Sequence, residues 1–214
     1  MTDPPKAPEG TAADLIASGL RLFGQKGFAA TSTREIAAAA RTNVASIAYH
    51  FGGKEGLRRA CGAEVIRRMG TALGNHGAPV PAAPQAAIAE MEATLRSMCA
   101  FVTTSPVAAP LVPFMLREVG EGGVIFELVY GAMIEPMHRR FCALWAAATG
   151  QEAESPRTRL LVFSLIGQLL YFRVGRPVVT RRMGWDMLGP AEAGTIADLL
   201  AANLHSLIER ERRS

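Results

Sequence analysis

Stretches with helical periodicity, separated by short runs of glycine and proline, are the feature of this sequence that most restricts its fold. Between Leu15 and Phe23 the apolar residues recur on one face of an α-helix, and Gly27 then supplies a C-terminal stop. No stretch alternates like a half-buried strand, and only 7% of the residues are aromatic, which favours helices over strands. We therefore expect an all-α protein.

Two short helices joined by a tight turn follow the first helix. Ser32 and Glu35 have the spacing of a capping box, in which each side chain accepts a hydrogen bond from the other residue's backbone N–H. Arg41-Thr42-Asn43 indicates a turn, because Asn can cap a helix or adopt a strained backbone. Together these signals predict a helix-turn-helix.

The third helix of this motif is predicted over Val44–Phe51. Val44, Ile47 and Phe51 are expected to face inward because they recur at helical spacing, and Gly52-Gly53 ends the helix. Further along the chain, residues 74–84 are rich in Gly, Pro and Ala and form the main internal boundary. The remaining predicted helices cover residues 11–26, 54–73, 85–104, 107–119, 124–149, 157–173 and 191–212.

Positive charge is concentrated in the first third of the chain. Residues 11–70 contain nine Lys or Arg and four Asp or Glu, whereas residues 71–214 contain thirteen of each sign. This distribution is expected of a surface that faces a polyanion such as double-stranded DNA. A solvated basic surface without a partner is the alternative.

The second helix of a helix-turn-helix lies in the major groove, where its outward side chains read base edges. Polar residues on this face and at nearby helix starts are candidates for contacts with bases and phosphates, and a small residue permits close approach to a thymine methyl. The predicted DNA-binding residues are Ser32, Thr33, Arg34, Asn43, Ala45, Ser46, Tyr49, His50 and Lys54.

The segment from Leu15 to Leu57 resembles the TetR-family DNA-binding domain. The resemblance rests on Leu22-Phe23, Gly27-Phe28, Ala30-Thr31, Ile36-Ala37, Tyr49-His50-Phe51 and Lys54-Glu55. Residues 46–57 resemble the CecR-like branch of that family, and residues 172–177 with Gly184-Trp185 resemble its C-terminal domain. Two residues depart from the family pattern: Arg41 stands where many members have Gly, and Ala48 stands where many have a phosphate-contacting Tyr.

The resemblance implies a regulatory domain that dimerises through its last long helices and holds an inducer. The expected organisation is a disordered arm over residues 1–10, a helix-turn-helix domain over 11–57, a connecting helix over 58–75, and a ligand-binding and dimerisation domain over 84–212. Leu160–Tyr171 is apolar nearly all round, so it must be buried in the domain or against a partner. Leu199, Leu200 and Leu207 give the last helix an apolar seam. A monomeric core is the alternative.

Large, adaptable side chains in the middle helices are candidates for an inducer pocket with an apolar lining. The same spacing also suits ordinary core residues. The predicted ligand-binding residues are Met98, Phe101, Phe114, Met115, Arg117, Phe126, Tyr130, Met133, Met137 and Gln168, with Glu118, His138 and Arg173 as further polar candidates. The inducer is expected to be apolar or amphipathic.

Known catalytic motifs are absent from the sequence, and no enzyme activity, cofactor or metal is expected. The three cysteines are widely spaced, which predicts reduced thiols. The apolar run Leu160–Phe172 is too short to span a bilayer, and the first ten residues lack the apolar stretch of a signal peptide. A cytoplasmic location is therefore expected.

We interpret the sequence as a homodimeric repressor that binds a palindromic operator and is released by a small-molecule inducer. Two alternatives remain open at this stage. One is a small-molecule binding protein with weak or lost DNA binding, and the other is a transcriptional activator.

Overall fold

α-Helices form nearly all of the regular structure in the computed structural model, which describes residues 8–73 and 78–213. No strand occurs within these ranges, which confirms the predicted all-α class. The predicted disordered arm lies outside the described residues over 1–7. The α-helices are α1 Gly10–Lys26, α2 Thr33–Ala39, α3 Ala45–Phe51, α4 Lys54–Leu73, α5 Pro84–Thr104, α6 Ala108–Glu121, α7 Val124–Val129, α8 Glu135–Thr149, α9 Pro156–Val174, α10 Arg176–Met183 and α11 Pro190–Arg212.

The chain divides into two units, and the division does not follow the order of the sequence. Among the described residues, the first unit contains those from 8 to 68 together with Ala109–Tyr130, and the second contains residues 69–73, 78–108 and 131–213. The predicted domain over 84–212 is therefore not one unit, because α7 and nearly all of α6 pack with the N-terminal helices.

Close packing between α1 and α6 explains this grouping. The rings of Phe23 and Phe114 lie 6.4 Å apart, and both side chains are buried. A Cβ atom at Gly24 would lie 2.9 Å from the backbone nitrogen of Phe114, so only glycine allows this approach. Arg117 donates hydrogen bonds to the carbonyls of Gly24 and Gln25 at the end of α1, each over 3.4 Å.

The second unit is built around α5, which packs against α8 and α11. Its core contains the fully buried side chains of Met91, Leu95, Phe141, Trp145 and Leu204. Burying large apolar side chains of this kind supplies the main driving force for folding.

The structure differs from the predicted helices in two places. The single helix predicted over residues 124–149 is interrupted by a π-helix over Tyr130–Ile134. Pro136 follows this break, and it has no N–H to donate to a preceding carbonyl. The helix α10 was not predicted at all. Pro177 occupies its first turn and Gly184 ends it with φ +70°, the arrangement that proline and glycine favour at helix ends.

Within residues 8–73 and 78–213, no single helix is long and apolar enough to cross a membrane, and only α5 and α6, taken together as a bent pair, reach that length and hydropathy. No group of three or more His, Cys, Asp or Glu side chains in this part of the chain could hold a metal ion.

We predict that Gly24→Ala lowers the free energy of unfolding by about 1–3 kcal/mol, because its methyl group would meet backbone rather than a movable side chain. Chemical denaturation monitored by circular dichroism measures the change. Gly70→Ala in α4 is the matched control, since a Cβ there meets nothing within 4 Å. The control should be neutral or stabilising by about 0.5–1 kcal/mol. A Gly24→Ala protein as stable as this control would contradict the packing argument.

Candidate nucleic-acid interface

The start of α2 is held by the predicted capping box. The backbone N–H of Glu35 donates to the Ser32 hydroxyl over 3.2 Å, and the backbone N–H of Ser32 donates to the Glu35 carboxylate over 2.9 Å. The Lys26 ammonium donates to the other oxygen of that carboxylate over 2.7 Å. Thr33 and Arg34 follow directly in the first turn, and Arg34 is exposed. A helix N-terminus of this kind favours contact with an anion.

The Glu35 carboxyl group is stabilised in its charged form. The hydrogen bond from Lys26, followed by those from Ser32, lowers the pKa of Glu35 from 4.5 to about 2. Its negative charge is therefore maintained throughout the physiological pH range.

The turn between α2 and α3 contains a strained residue. Arg41 has φ +53° and is the only described residue other than glycine with a positive φ. A left-handed conformation costs a side-chain-bearing residue about 1–2 kcal/mol, which explains the glycine found here in many TetR-family members. The turn is stabilised by two local hydrogen bonds: Ala45 N–H donates to Asn43 Oδ1 over 2.9 Å, and the Thr42 and Ser46 hydroxyls lie 3.1 Å apart.

The helix α3 has one buried residue and a broad exposed face. Ile47 is buried, as predicted. Val44 is 40% exposed, so its predicted inward position was wrong. It is the N-cap residue of α3 and precedes the part of the helix that is buried at Ile47. Phe51 is only half-buried.

The exposed face of α3 carries most of the predicted base-reading residues. Asn43, Ala45 and His50 are exposed, and Ser46 is half-buried. Tyr49 is 85% exposed, and its ring meets that of His50 edge-on with centroids 4.9 Å apart. An aromatic residue this exposed, beside an imidazole, presents a surface suited to contact with a partner.

Lys54 and Arg58 in α4 both lie against the ring of Phe28. The Lys54 ammonium is 4.2 Å and the Arg58 guanidinium carbon 4.6 Å from the ring centroid, within the range of cation–π attraction. Arg58 also donates to both oxygens of Glu118 over 2.7 and 2.8 Å, and to Glu121 over 3.1 Å. Arg58 is thus neutralised by α6, whereas no described carboxylate forms an ion pair with Lys54.

This arrangement cannot be read from the sequence. Glu118 is a predicted candidate for the ligand pocket, but its side chain is 3% exposed and paired with Arg58. Arg58 and Glu118 are sixty residues apart in sequence, and no local sequence pattern predicts an ion pair over that separation.

The predicted ligand-binding residues are divided between the two units. Phe114, Met115, Arg117, Phe126 and Tyr130 belong to the first unit, and Met98, Phe101, Met133, Met137 and Gln168 to the second. The structure therefore does not place all ten in one unit, and Phe114 and Arg117 make the contacts with α1 described above.

Several polar candidates of the second unit have partners inside it. Gln168 accepts a hydrogen bond from the Asn203 amide over 2.7 Å, which links α9 to α11. His138 Nε2 lies 3.2 Å from the Arg159 carbonyl. Its ring stacks on Phe163 with centroids 3.9 Å apart.

Two family models match the chain, one for each part. Residues 15–61 match the family of bacterial regulatory proteins, tetR family. Residues 87–209 match the C-terminal domain of the HTH-type transcriptional dual regulator CecR.

Individual proteins agree with these matches. The chain is 32% identical over 202 residues to the HTH-type transcriptional dual regulator CecR of Shigella flexneri, covering 91% of this chain and 90% of that one. A TetR-like transcriptional regulator from Rhodococcus sp. RHA1 has a similar fold, with a TM-score of 0.66, 20% identity, and 93% and 96% of the two chains covered. AibR, solved in complex with isovaleryl coenzyme A and operator DNA, is also similar, with a TM-score of 0.65, 17% identity, and 90% and 96% covered.

The lowered pKa of Glu35 predicts a pH-dependent stability difference between the wild type and Glu35→Gln. The glutamine preserves the capping geometry but removes the ion pair with Lys26. Because the folded-state pKa lies below the unfolded one, the stabilisation is present above pH 4.5 and is lost as the pH falls towards 2. Chemical denaturation of both proteins between about pH 6 and about pH 2.5 measures this difference. A difference that persists unchanged to the lowest pH would contradict the assignment.

We predict that Arg58→Ala lowers the free energy of unfolding by about 2–3 kcal/mol, because Glu118 is left buried without its partner. Lys26→Ala is the matched control, since it breaks an ion pair in which both side chains are exposed. The control should lose less than about 1 kcal/mol. Equal losses in the two variants, measured by the same denaturation, would show that the buried pair contributes no more than the surface pair.

Proposed function

The chain belongs to the TetR family of bacterial transcriptional regulators and has a CecR-type C-terminal domain, and we propose on this premise that it represses its target genes. The family resemblance stated from the sequence is confirmed. Members of this family are regulators rather than enzymes, and they are typically ligand-responsive repressors that bind operator DNA as dimers. We infer that this chain binds a palindromic operator as a homodimer in the bacterial cytoplasm and is released by a small molecule.

The exposed face of α3 is the observation that carries the proposal. Ala45 and Tyr49 project from α3, whose Ile47 is anchored in the core, and Asn43 is exposed in the turn just before it. We place this face in the major groove, where the amide N–H donors of Asn43 can read a base edge while its oxygen caps α3, and where Ala45 allows close approach. Tyr49 and His50 then reach phosphates at the groove edge.

The charged residues around α3 support contacts with the DNA backbone. Lys54 stands at the N-terminus of α4, where the helix dipole adds to its attraction for phosphate. Thr33 and Arg34 stand at the corresponding position of α2. Ser32 is committed to the capping box through its hydroxyl, so we assign it the role of orienting α2 rather than of contacting a base.

An exposed apolar stripe on α9 supports the homodimer. Leu160 is 67% and Phe163 51% exposed, and Tyr171 is also exposed. On the opposite face of α9, Val162, Leu165 and Leu169 are buried. These three residues lie on one face of α9, and their exposure in a single chain is the pattern expected of a helix that packs against a second copy. On α11, Leu199 is exposed in the same way.

The second unit offers the best support for an inducer site. Met98 and Phe101 on α5 and Met133 and Met137 around the start of α8 are all buried, and α5 packs against α8. Met133 lies in the π-helix, and such interruptions often occur at functional sites. Flexible methionines can repack around an apolar ligand. The ligand-bound structure of AibR is a precedent from a protein of similar fold.

Release by the inducer follows from dimer geometry. Two recognition helices must stand one helical turn of DNA apart to enter successive major grooves. An inducer that binds better to a conformation with another spacing lowers operator affinity by at most the ratio of its affinities for the two conformations. The Shigella relative is named a dual regulator, which keeps activation as a second candidate. A promoter–reporter assay in a deletion strain distinguishes repression from activation.

The proposal predicts that Tyr49→Ala and Lys54→Ala weaken operator binding while thermal stability changes little. Each variant should raise the Kd about tenfold, and Lys54→Ala should reduce the salt dependence by about one phosphate contact. Fluorescence anisotropy with DNA from upstream of the protein's own gene, repeated over a salt series, measures both effects. Arg213→Ala, at the far end of the chain, controls for lost charge. Unchanged affinity in both variants would refute the site assignment.

A further inference from the structure

Four arginines lie close together where α9 ends and α10 follows: Arg173, Arg176, Arg181 and Arg182. None of the four forms an ion pair with a carboxylate in the described part of the chain. Elsewhere in the same unit, Arg96 pairs with Asp198 over 2.7 Å and Arg157 with Glu211 over 2.7 Å. The segment therefore carries positive charge that the protein's own acids do not neutralise.

Arg173 is the most informative of the four. It follows Leu165 and Leu169 at intervals of four residues, so it continues the buried face of α9. Its Nε atom is buried and has no hydrogen-bond acceptor among the described residues. Burial, together with the neighbouring Arg176, lowers the pKa of Arg173. A buried donor without an acceptor is costly, and in a native protein it calls for an explanation such as a contact with an ion or a water.

A surface hollow of about 540 Å³ adjoins this segment, lined by Pro177, Val178, Arg181 and Arg182. Two of its lining residues are apolar and two are cationic. Such a lining suits a molecule with an apolar body and a negatively charged head. Arginine recognises carboxylates and phosphates through paired N–H donors, which match the two oxygens of either group.

We propose that the junction of α9 and α10 binds an amphipathic anion, a carboxylate or phosphate head group carried on an apolar chain. Arg181 and Arg182, which line the hollow, hold the head, and Pro177 and Val178 contact the apolar part. Arg173 and the neighbouring Arg176 add positive charge at the end of α9. The bound anion supplies the negative charge that balances these arginines, which form no ion pair with a described carboxylate. The residues of this site differ from those of the inducer site proposed on α5 and α8, so the binding of an anion here does not rest on the proposed function.

Calorimetric titration of the full chain tests the site without DNA. The probes are decanoate and decyl phosphate, and decanol is the uncharged control. Both anions should bind, and decanol should bind at least about tenfold more weakly because it lacks the charged hydrogen bonds. Tighter binding of decyl phosphate would identify a phosphate head, and tighter binding of decanoate a carboxylate head.

Two variants localise the binding. Arg173→Gln and the double variant Arg181→Gln with Arg182→Gln should each weaken decanoate binding about tenfold or more. The double variant changes only exposed side chains, so it tests the site even if Arg173→Gln folds poorly. Arg213→Gln is the matched control, because it removes one exposed arginine of the same unit outside the hollow, and it should bind like the wild type.

Three results would overturn the site. These are equal affinity for decanol and decanoate, equal decanoate affinity in the double variant and in Arg213→Gln, or a shift from dimer to monomer in the double variant by light scattering. The last result would show that the arginines contact a second copy instead. A chain that binds decanoate but not operator DNA would retain this site while refuting the proposed function. A chain that binds operator DNA but neither anion would refute this site while retaining the proposed function.

Discussion

The pairing of Arg58 with buried Glu118 is the interaction on which the operator-facing part of the molecule depends. A carboxylate buried this deeply requires a charged partner, and Arg58 provides both guanidinium donors that the two oxygens need. The same Arg58 lies over Phe28, whose ring also attracts Lys54. One ion pair thereby joins α4 to α6 and organises the cationic start of α4, where no described carboxylate forms an ion pair with Lys54.

Local hydrogen bonds then orient the two short helices of the motif. The capping box of Ser32 and Glu35 starts α2, and the Asn43 side chain starts α3. Between them Arg41 adopts a left-handed conformation, whose strain the surrounding turn offsets. Because Ile47 is buried in the core, the opposite face of α3 must lie at the surface. The exposed Tyr49 is thus a consequence of how the turn and the core hold the helix.

The two halves of the chain differ in how they meet a partner. The first unit presents polar and cationic groups, which suit a polyanion and form contacts that salt weakens. The second unit leaves an exposed apolar stripe on α9 and, after it, arginines that form no ion pair within the described residues. Apolar surface favours a second copy of the chain, and unpaired guanidinium groups favour an anion. One fold therefore carries three surfaces with distinct chemistry.

Short-range patterns determined much of this protein by sequence alone: the all-α class, the ends of α1 and α4, the capping box, and the helix-turn-helix with its exposed residues. Each depends on residues within about one or two helical turns, where periodicity and capping act directly. The tertiary structure decided what depends on distant residues. It placed α6 with the N-terminal helices through the close approach of Gly24 and Phe114, and it paired Arg58 with Glu118. It also exposed Val44 and divided the predicted pocket residues between two units. These outcomes depend on packing between residues far apart in sequence, which produces no periodic pattern in the local sequence.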